Sequence, residues 1–369
     1  MTTLTIQDEF PTIQAARRTL DDLLTLMVEQ EGSDLHITAG SPACMRINGS
    51  LDPIPGHQKL SANDTDMLAR SVLSTALWDK FESTHELDTA YTIPGVSRFR
   101  VNVYQQRGAV GVVFRAIPYK IKTLAELGVP STVEQFSRLS RGLVLVTGAT
   151  GSGKSTTLAS LIELVNQSRS GHIVTIEDPI EYLHKHGRSL VNQREVGTDT
   201  ETFATALRHV LRQDPDVILV GEMRDLETTS VAVTAAETGH LVLATMHTQS
   251  AAQTVERLVD MYPPHAQQQI RSQISTCLQG VVSQALLPRR DGTGRVLACE
   301  VLIATAAVRN LIREGKPHQI PSVLQSSGDL GMFSFDQNLA TLYREDLISM
   351  NAALEVAHDA NEFRRMARI

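Results

Sequence analysis

"LVLVTGATGSGKSTTLASL", residues 143–161, joins a run of leucine and β-branched residues to a stretch with helical spacing. Inside it, Gly148–Ser155 fits G-x-x-x-x-G-K-[ST] in full, with a strand-like run entering and a helix-like run leaving, as that pattern requires. Glycines free main-chain N–H groups to face a ligand, and the helix that follows offers its N-terminus, so such a loop is built to hold phosphate. Gly148, Thr150, Gly151, Ser152, Gly153, Lys154, Ser155 and Thr156 are the candidate binding residues. Lys154 is expected to reach the β- and γ-phosphates and Ser155 to ligate Mg2+. The expectation is a nucleoside triphosphate site.

Outward from the loop, "GLVLVTG", "HIVTIED", "DVILVGE" and "HLVLATMHT" read as strands, separated by the helical stretches "STTLASLIELVNQ", "ATALRHVLRQ" and "TTSVAVTAAETG". Near-continuous apolar strands alternating with helices imply a parallel sheet covered on both faces. The region beyond about residue 250 reads as largely helical.

Towards the N-terminus the pattern changes. Leu20, Leu23, Leu24, Met27 and Val28 form one face of an amphipathic helix that ends near Gly32. Short strand-like runs follow, "SDLHITAG", "CMRING", "LDTAYTI" and "SRFRVNVYQQRGAVGVVFRAI", the last a hairpin turning near Arg107-Gly108. One helix is expected around residues 61–82. The domain expectation is therefore a loose extension over 1–12, an α+β domain over 13–117, a linker over 118–126, and an α/β domain with a helical C-terminal region over 127–369.

Composition sets bounds on function. The 369 residues are 42% hydrophobic and 20% charged, which suits a folded globular chain, and the net charge of −7 argues against a protein that coats nucleic acid. Cys44, Cys277 and Cys299 are far apart and form no C-x-x-C pair, so neither a disulfide framework nor a zinc site is expected. No apolar run approaches a bilayer span, and the N-terminus lacks a signal-peptide pattern; a cytoplasmic protein without direct membrane insertion is expected.

Phosphate chemistry needs carboxylates near the loop. "DVILVGE" ends in Gly221-Glu222, where many phosphate-loop enzymes carry aspartate, so Glu222 has to serve the metal, partly through water, or orient the nucleophile. "TIEDPIEY" supplies Glu177, Asp178 and Glu181 at the end of a neighbouring strand. Strand carboxyl ends are where ligands bind open α/β sheets. His240 and His247 bracket a further strand, and His247, directly after it, is placed to sense the γ-phosphate. Arg208 and Arg212 share a helix face and either reach a nucleotide or pair with acids.

In chain order, "GATGSGKSTT", "TIEDPIEY", "RQDPDVILVGEMRD" and "ETGHLVLATMHTQSA" resemble the Walker A, Asp box, Walker B and His box of the secretion-superfamily ATPases, the hexameric motors of type II secretion and type IV pili. "GSDLHITAGSPACMRING", "SRFRVNVYQQRGAVGVVFR" and "AAVRNLIREGKPHQIPS" are similar to the pilus-retraction branch of that family, and the cysteine cluster of extension ATPases is absent from the sequence. The resemblance implies a PAS-like N-terminal domain joined to a RecA-like domain, in a homohexameric ring that uses ATP and Mg2+. It implies Glu177 as general base, Glu222 on the magnesium side, and Arg100 and Arg115 as arginines reaching the nucleotide, with Arg98 and Arg107 in reserve. Its implied partners are an inner-membrane pilus platform protein and other pilus motors, with no nucleic acid. Pilus retraction supporting twitching motility is the function implied. Three rivals stay open: a secretion or extension ATPase, a nucleic-acid translocase, and a regulatory ATP-binding protein that hardly hydrolyses.

Overall fold

The computed structural model describes residues 12–47, 49–117 and 121–368. Residues 1–11 of the expected extension and 118–120 of the expected linker lie outside the described residues. The chain divides into two compact units, Met1–Tyr119 and Lys120–Ile369.

The first unit begins with α1 (Ile13–Glu29), capped by the Thr12 side chain, which accepts from the Ala15 N–H. Ala16, Leu20, Leu23, Leu24 and Met27 are buried along one stripe, as the spacing requires. There follow β1 (Asp34–Ile37), β2 (Cys44–Ile47), β3 (Ser50–Pro53), α2 (Ala62–Val72), α3 (Thr75–Thr84), β4 (Glu86–Ile93), β5 (Ser97–Gln106) and β6 (Ala109–Ile117). The strands form one antiparallel sheet in the order β3-β2-β1-β6-β5-β4. Arg107 and Gly108 both have positive φ, 50° and 78°, the backbone twist that a two-residue hairpin turn demands.

Sequence spacing over 61–82 suggests one helix, but two form. Leu73 is extended, and the Ser74 side chain caps a new helix by accepting from the Leu77 N–H. A serine that competes for main-chain donors favours a cap over a helix interior.

The second unit contains β7 (Gly142–Thr147), α4 (Lys154–Ser168), β8 (His172–Glu177), β9 (Leu190–Glu195), α5 (Phe203–Val210), β10 (Val217–Val220), α6 (Leu226–Glu237), β11 (Leu241–Met246), α7 (Ala251–Asp260) and α8 (Gln267–Cys277). It continues through β12 (Leu278–Pro288), β13 (Arg295–Ile303), α9 (Ala306–Arg313), α10 (Ile320–Ser326), α11 (Phe335–Arg344), α12 (Met350–Val356) and α13 (Ala360–Ala367). Its seven-stranded sheet runs β13-β12-β7-β11-β10-β8-β9, parallel except where β13 returns against β12. Apolar clusters cover both faces, and a smaller one forms among α11, α12 and α13. This is the α/β architecture expected, with a helical C-terminal part.

The region after residue 250 is largely helical, as expected, but it also holds two strands that the sequence reading does not anticipate. β12 and β13 extend the sheet, and Phe136 explains part of what hid β12. A Cβ on Gly280 would stand 2.2 Å from Phe136 Cζ, so the strand carries a glycine where an aromatic ring lies across it.

Helix α9 buries Val308 and Ile312, whereas Ala307 is exposed. Arg309 does more than decorate a surface. Its guanidinium donates to the main-chain carbonyls of Ser275 (2.9 Å), Thr276 (2.6 Å) and Ala304 (2.9 Å), and to Gln279 Oε1 at 3.1 Å. Ser275 and Thr276 lie in the last turn of α8, whose carbonyls lack helical partners. Arg309→Ala is expected to lower unfolding free energy by about 2 kcal/mol in a urea titration. Arg309→Lys should recover only part of that, because an ammonium cannot span the same fork of acceptors.

Candidate active site

The glycine loop sits between β7 and α4, and its glycines are needed one by one. Gly148 has φ 142°, and a Cβ there would meet the Gln284 main-chain oxygen at 2.2 Å and Ser152 Oγ at 2.6 Å. Gly153, at φ 88°, is the N-cap of α4 and supplies no side-chain cap. The first N–H groups of α4 are thus left to an external acceptor. Ser152 Oγ is buried without a hydrogen-bond partner among the described residues. An uncapped helix start, a cradle that a Cβ would fill and an orphaned hydroxyl all fit a phosphate group.

Lys154 donates through Nζ to the carbonyls of Gly148 (2.9 Å) and Ala149 (3.0 Å), so its charge is held over the loop. Burial pulls its pKa down, while Glu222 and Glu181 oppose that shift. Ser155 and Thr156 follow in the first turn of α4, and Thr156 Oγ1 lies 2.9 Å from the Tyr182 hydroxyl.

Three strand ends meet the loop's side of the sheet. Glu177 closes β8; Glu222 follows β10 and His247 follows β11. Thr175 Oγ1 donates to Glu177 Oε1 at 2.6 Å, and Gln193 Nε2 donates to the same oxygen at 3.1 Å. Even so, the surrounding protein desolvates the carboxyl and raises its pKa to about 7. Glu222 is paired differently: Oε1 contacts both the Arg224 guanidinium and His247 Nε2, the latter at 2.8 Å. Two carboxylates at the ends of adjacent strands therefore sit in different surroundings, Glu177 desolvated by the protein and Glu222 against Arg224 and His247.

The absence of aspartate at 221 has a steric reason. A Cβ on Gly221 would lie 3.1 Å from the Ile176 carbonyl and 3.2 Å from Glu177 Cα, tighter than ordinary contact. The glycine lets β10 end against the backbone that carries Glu177, joined by the Gly221 N–H to Ile176 carbonyl bond at 2.8 Å.

Other sequence candidates are placed elsewhere. His240 lies before β11, at the opposite end of that strand from His247, with Nδ1 3.0 Å from the Ala235 carbonyl. Asp178 and Glu181 are exposed. Arg212 lies beyond the end of α5, so it does not share a helix face with Arg208, and Arg208 pairs with Glu227. Arg100 and Arg115 belong to the first unit, where they are register partners on β5 and β6 and both substantially exposed. Arg115 Nε donates to Asp34 Oδ1 at 2.7 Å. Despite burial, hydrogen bonds from Arg115 and Ser33 hold the Asp34 carboxyl below the usual carboxylate range.

Sequence reasoning missed Gln193 and Thr175, which hold Glu177, and Gln284, which underlies the glycine loop. Gln284 lies on a strand paired with β7 whose neighbouring contact, Thr147 Oγ1 to Ser283 Oγ at 2.9 Å, joins residues 136 apart in sequence. No short-range pattern reports such a partner.

Comparison with known proteins shows the family of the chain. Residues 96–315 match the family described as Type II/IV secretion system protein. The chain is 47% identical over 344 residues to the "Type IV pilus retractation ATPase PilT" of Pseudomonas aeruginosa, covering 93% of this chain and 99% of that one. It is 45% identical over 338 residues to a "Twitching motility protein" of Neisseria gonorrhoeae, covering 92% and 90% respectively. The crystal structure of the pilus retraction motor PilT with bound ADP superposes with a TM-score of 0.87 at 48% identity, covering 94% of this chain and 98% of that chain. Among the described residues no helix is long and apolar enough to cross a membrane. With its glycine loop, paired glutamates and strand-end histidine, this chain belongs to the type II/IV secretion system ATPase family.

Proposed function

We propose that this chain is an ATP-hydrolysing motor subunit that powers the retraction of type IV pili and so supports twitching motility. The observation that carries the reading is the convergence of the glycine loop with Glu177, Glu222 and His247 at neighbouring strand ends, in a chain 47% identical to a pilus retraction ATPase. The working form is a homohexameric ring in the cytoplasm, docked on the platform protein of the pilus machine at the inner membrane.

ATP is the substrate. Main-chain N–H groups of the loop and the first turn of α4 receive its phosphate oxygens, and Lys154 places a cation beside the β- and γ-phosphates. Ser155 and Glu222 are the residues that would hold Mg2+, partly through water, and the ion would supply positive charge against that developing on the phosphate oxygens. Glu177, steadied through Oε1 by Thr175 and Gln193, accepts the proton of a water whose oxygen attacks the γ-phosphorus as the bond to the ADP oxygen breaks. His247 links the state of Glu222 to the end of β11. Arg100 and Arg115 are the guanidiniums proposed to reach the nucleotide bound in the ring.

The test is made in the source cell, where the gene is deleted and, separately, replaced by a Lys154→Ala allele. Abundant long pili that no longer shorten, in both strains, are the expected result. Loss of pili would make the chain an assembly motor, and unchanged pili would overturn a pilus role altogether.

A further inference from the structure

We propose that Gln284 is a positioning residue of the nucleotide site, aiming the Gly153 N–H at the phosphate position by pinning the peptide that precedes it. The proposal rests on the nucleotide reading of the glycine loop given above and assigns a role to a strand outside all of the sequence motifs.

Gln284 lies on β12 and is buried, with 3% of its surface exposed. Its Nε2 donates to the Ser152 main-chain carbonyl at 2.8 Å, and its Oε1 accepts from Thr157 Oγ1 at 3.1 Å. One side chain thus bridges the tip of the loop and the first turn of α4. The main chain of the same residue closes the other side: its carbonyl oxygen fills the space where Gly148 would carry a Cβ. Strand register is fixed next door, where Ser283 pairs with Thr147 in β7 and accepts from its hydroxyl.

The consequence follows from peptide geometry. A trans peptide is planar, so its C=O and N–H point in opposite directions. The Ser152 carbonyl and the Gly153 N–H belong to one peptide. Holding the carbonyl against Gln284 turns the Gly153 N–H the other way, away from β12. Gly153, at φ 88°, carries no Cβ to restrict its backbone, so a tether on the preceding peptide matters more. Glutamine suits the position because it donates and accepts at once; a carboxylate could not donate to Ser152, and leucine could do neither.

The experiment uses the full chain and two nucleotides, fluorescent mant-ADP for equilibrium binding and Mg-ATP for steady-state turnover. Gln284→Glu keeps the side-chain shape, Gln284→Leu keeps its bulk, and Lys154→Ala is the control for the site itself. Thermal melts establish that each variant is folded at the assay temperature. Expected are a rise of about tenfold in mant-ADP Kd and in KM for ATP for both Gln284 variants, with kcat within about threefold of the parent. This split reports lost binding rather than lost chemistry. A lower melting temperature with Kd within twofold of the parent would overturn the proposal, leaving Gln284 as a packing residue, and so would a fall in kcat at unchanged KM. If Lys154→Ala weakens mant-ADP and Gln284→Glu does not, only this inference fails. If neither variant weakens it, the nucleotide reading of the loop fails with it.

Discussion

Glu177→Gln is expected to lower ATP turnover by about 10³-fold while leaving nucleotide binding nearly intact, within the range of a lost general base. The parent should show kcat/KM for ATP rising with pH through an apparent pKa of about 7, because burial places the Glu177 carboxyl there and only its charged form takes a proton. The variant's residual activity should lack that rise. Stability should move the opposite way. The folded-state pKa, about 7, lies above the ordinary value of 4.5, so the folded chain keeps a proton that the unfolded chain has released. That contribution is fully present below the unfolded value and is lost as pH rises through the folded one. Glutamine is neutral throughout. Glu177→Gln should therefore match the parent near pH 4 and exceed it by up to about 3 kcal/mol at pH 8, measured by urea unfolding. Full turnover in the variant would remove Glu177 from the chemistry, and equal stability at both pH values would mean that burial does not raise the carboxyl's pKa in the folded chain.

The parts of this molecule that were legible in the sequence are those with short-range causes. The glycine loop announced itself because its glycines, lysine and hydroxyls are contiguous and its flanking strand and helix adjoin it. Glu222 and His247 stand out because each closes an apolar run, and β7, β8, β10 and β11 read as strands because both of their faces are buried. What stayed hidden depends on partners far along the chain. β12 carries Gly280, Ser283 and Gln284 in its interior, which breaks the apolar pattern, and each answers to a distant residue: Phe136, Thr147, and Ser152 with Thr157. β9 has an exposed leucine, Leu190, and polar Asn192 and Gln193, so it reads as loop although Gln193 steadies the proposed base. Spacing alone carries the helix on to Arg212, but α5 ends at Val210, the kind of boundary that sequence leaves open.

Glu300 illustrates the same lesson and carries the second large expectation. Sequence reading passes over it, yet its carboxylate is buried, with 4% of the residue exposed, and lies between two helix starts. Oε1 accepts from the Ala251 N–H, the first of α7, at 2.7 Å, and Oε2 accepts from the Phe335 N–H, the first of α11, at 3.4 Å. Ser250 and Ser334 cap the third N–H of each helix, so Glu300 takes donors that those serines do not satisfy. Burial pushes its pKa up, opposed by the two main-chain donors and by His358, which stacks on Phe335 at 5.0 Å. Glu300→Leu would remove the carboxyl and leave both main-chain donors without their side-chain acceptor. The expected loss is about 3 kcal/mol, most of it from the short Ala251 contact. Glu300→Gln should lose less, about 1–2 kcal/mol, since an amide oxygen can still serve Ala251 while its NH2 faces the Phe335 N–H, donor against donor. Urea midpoints for the two variants decide the matter: an order of parent, Gln, Leu supports a carboxylate clasp. If Leu proves as stable as the parent, burial of the charge outweighs both helix starts, and α7, which begins just after His247, is held to the C-terminal helices by packing alone.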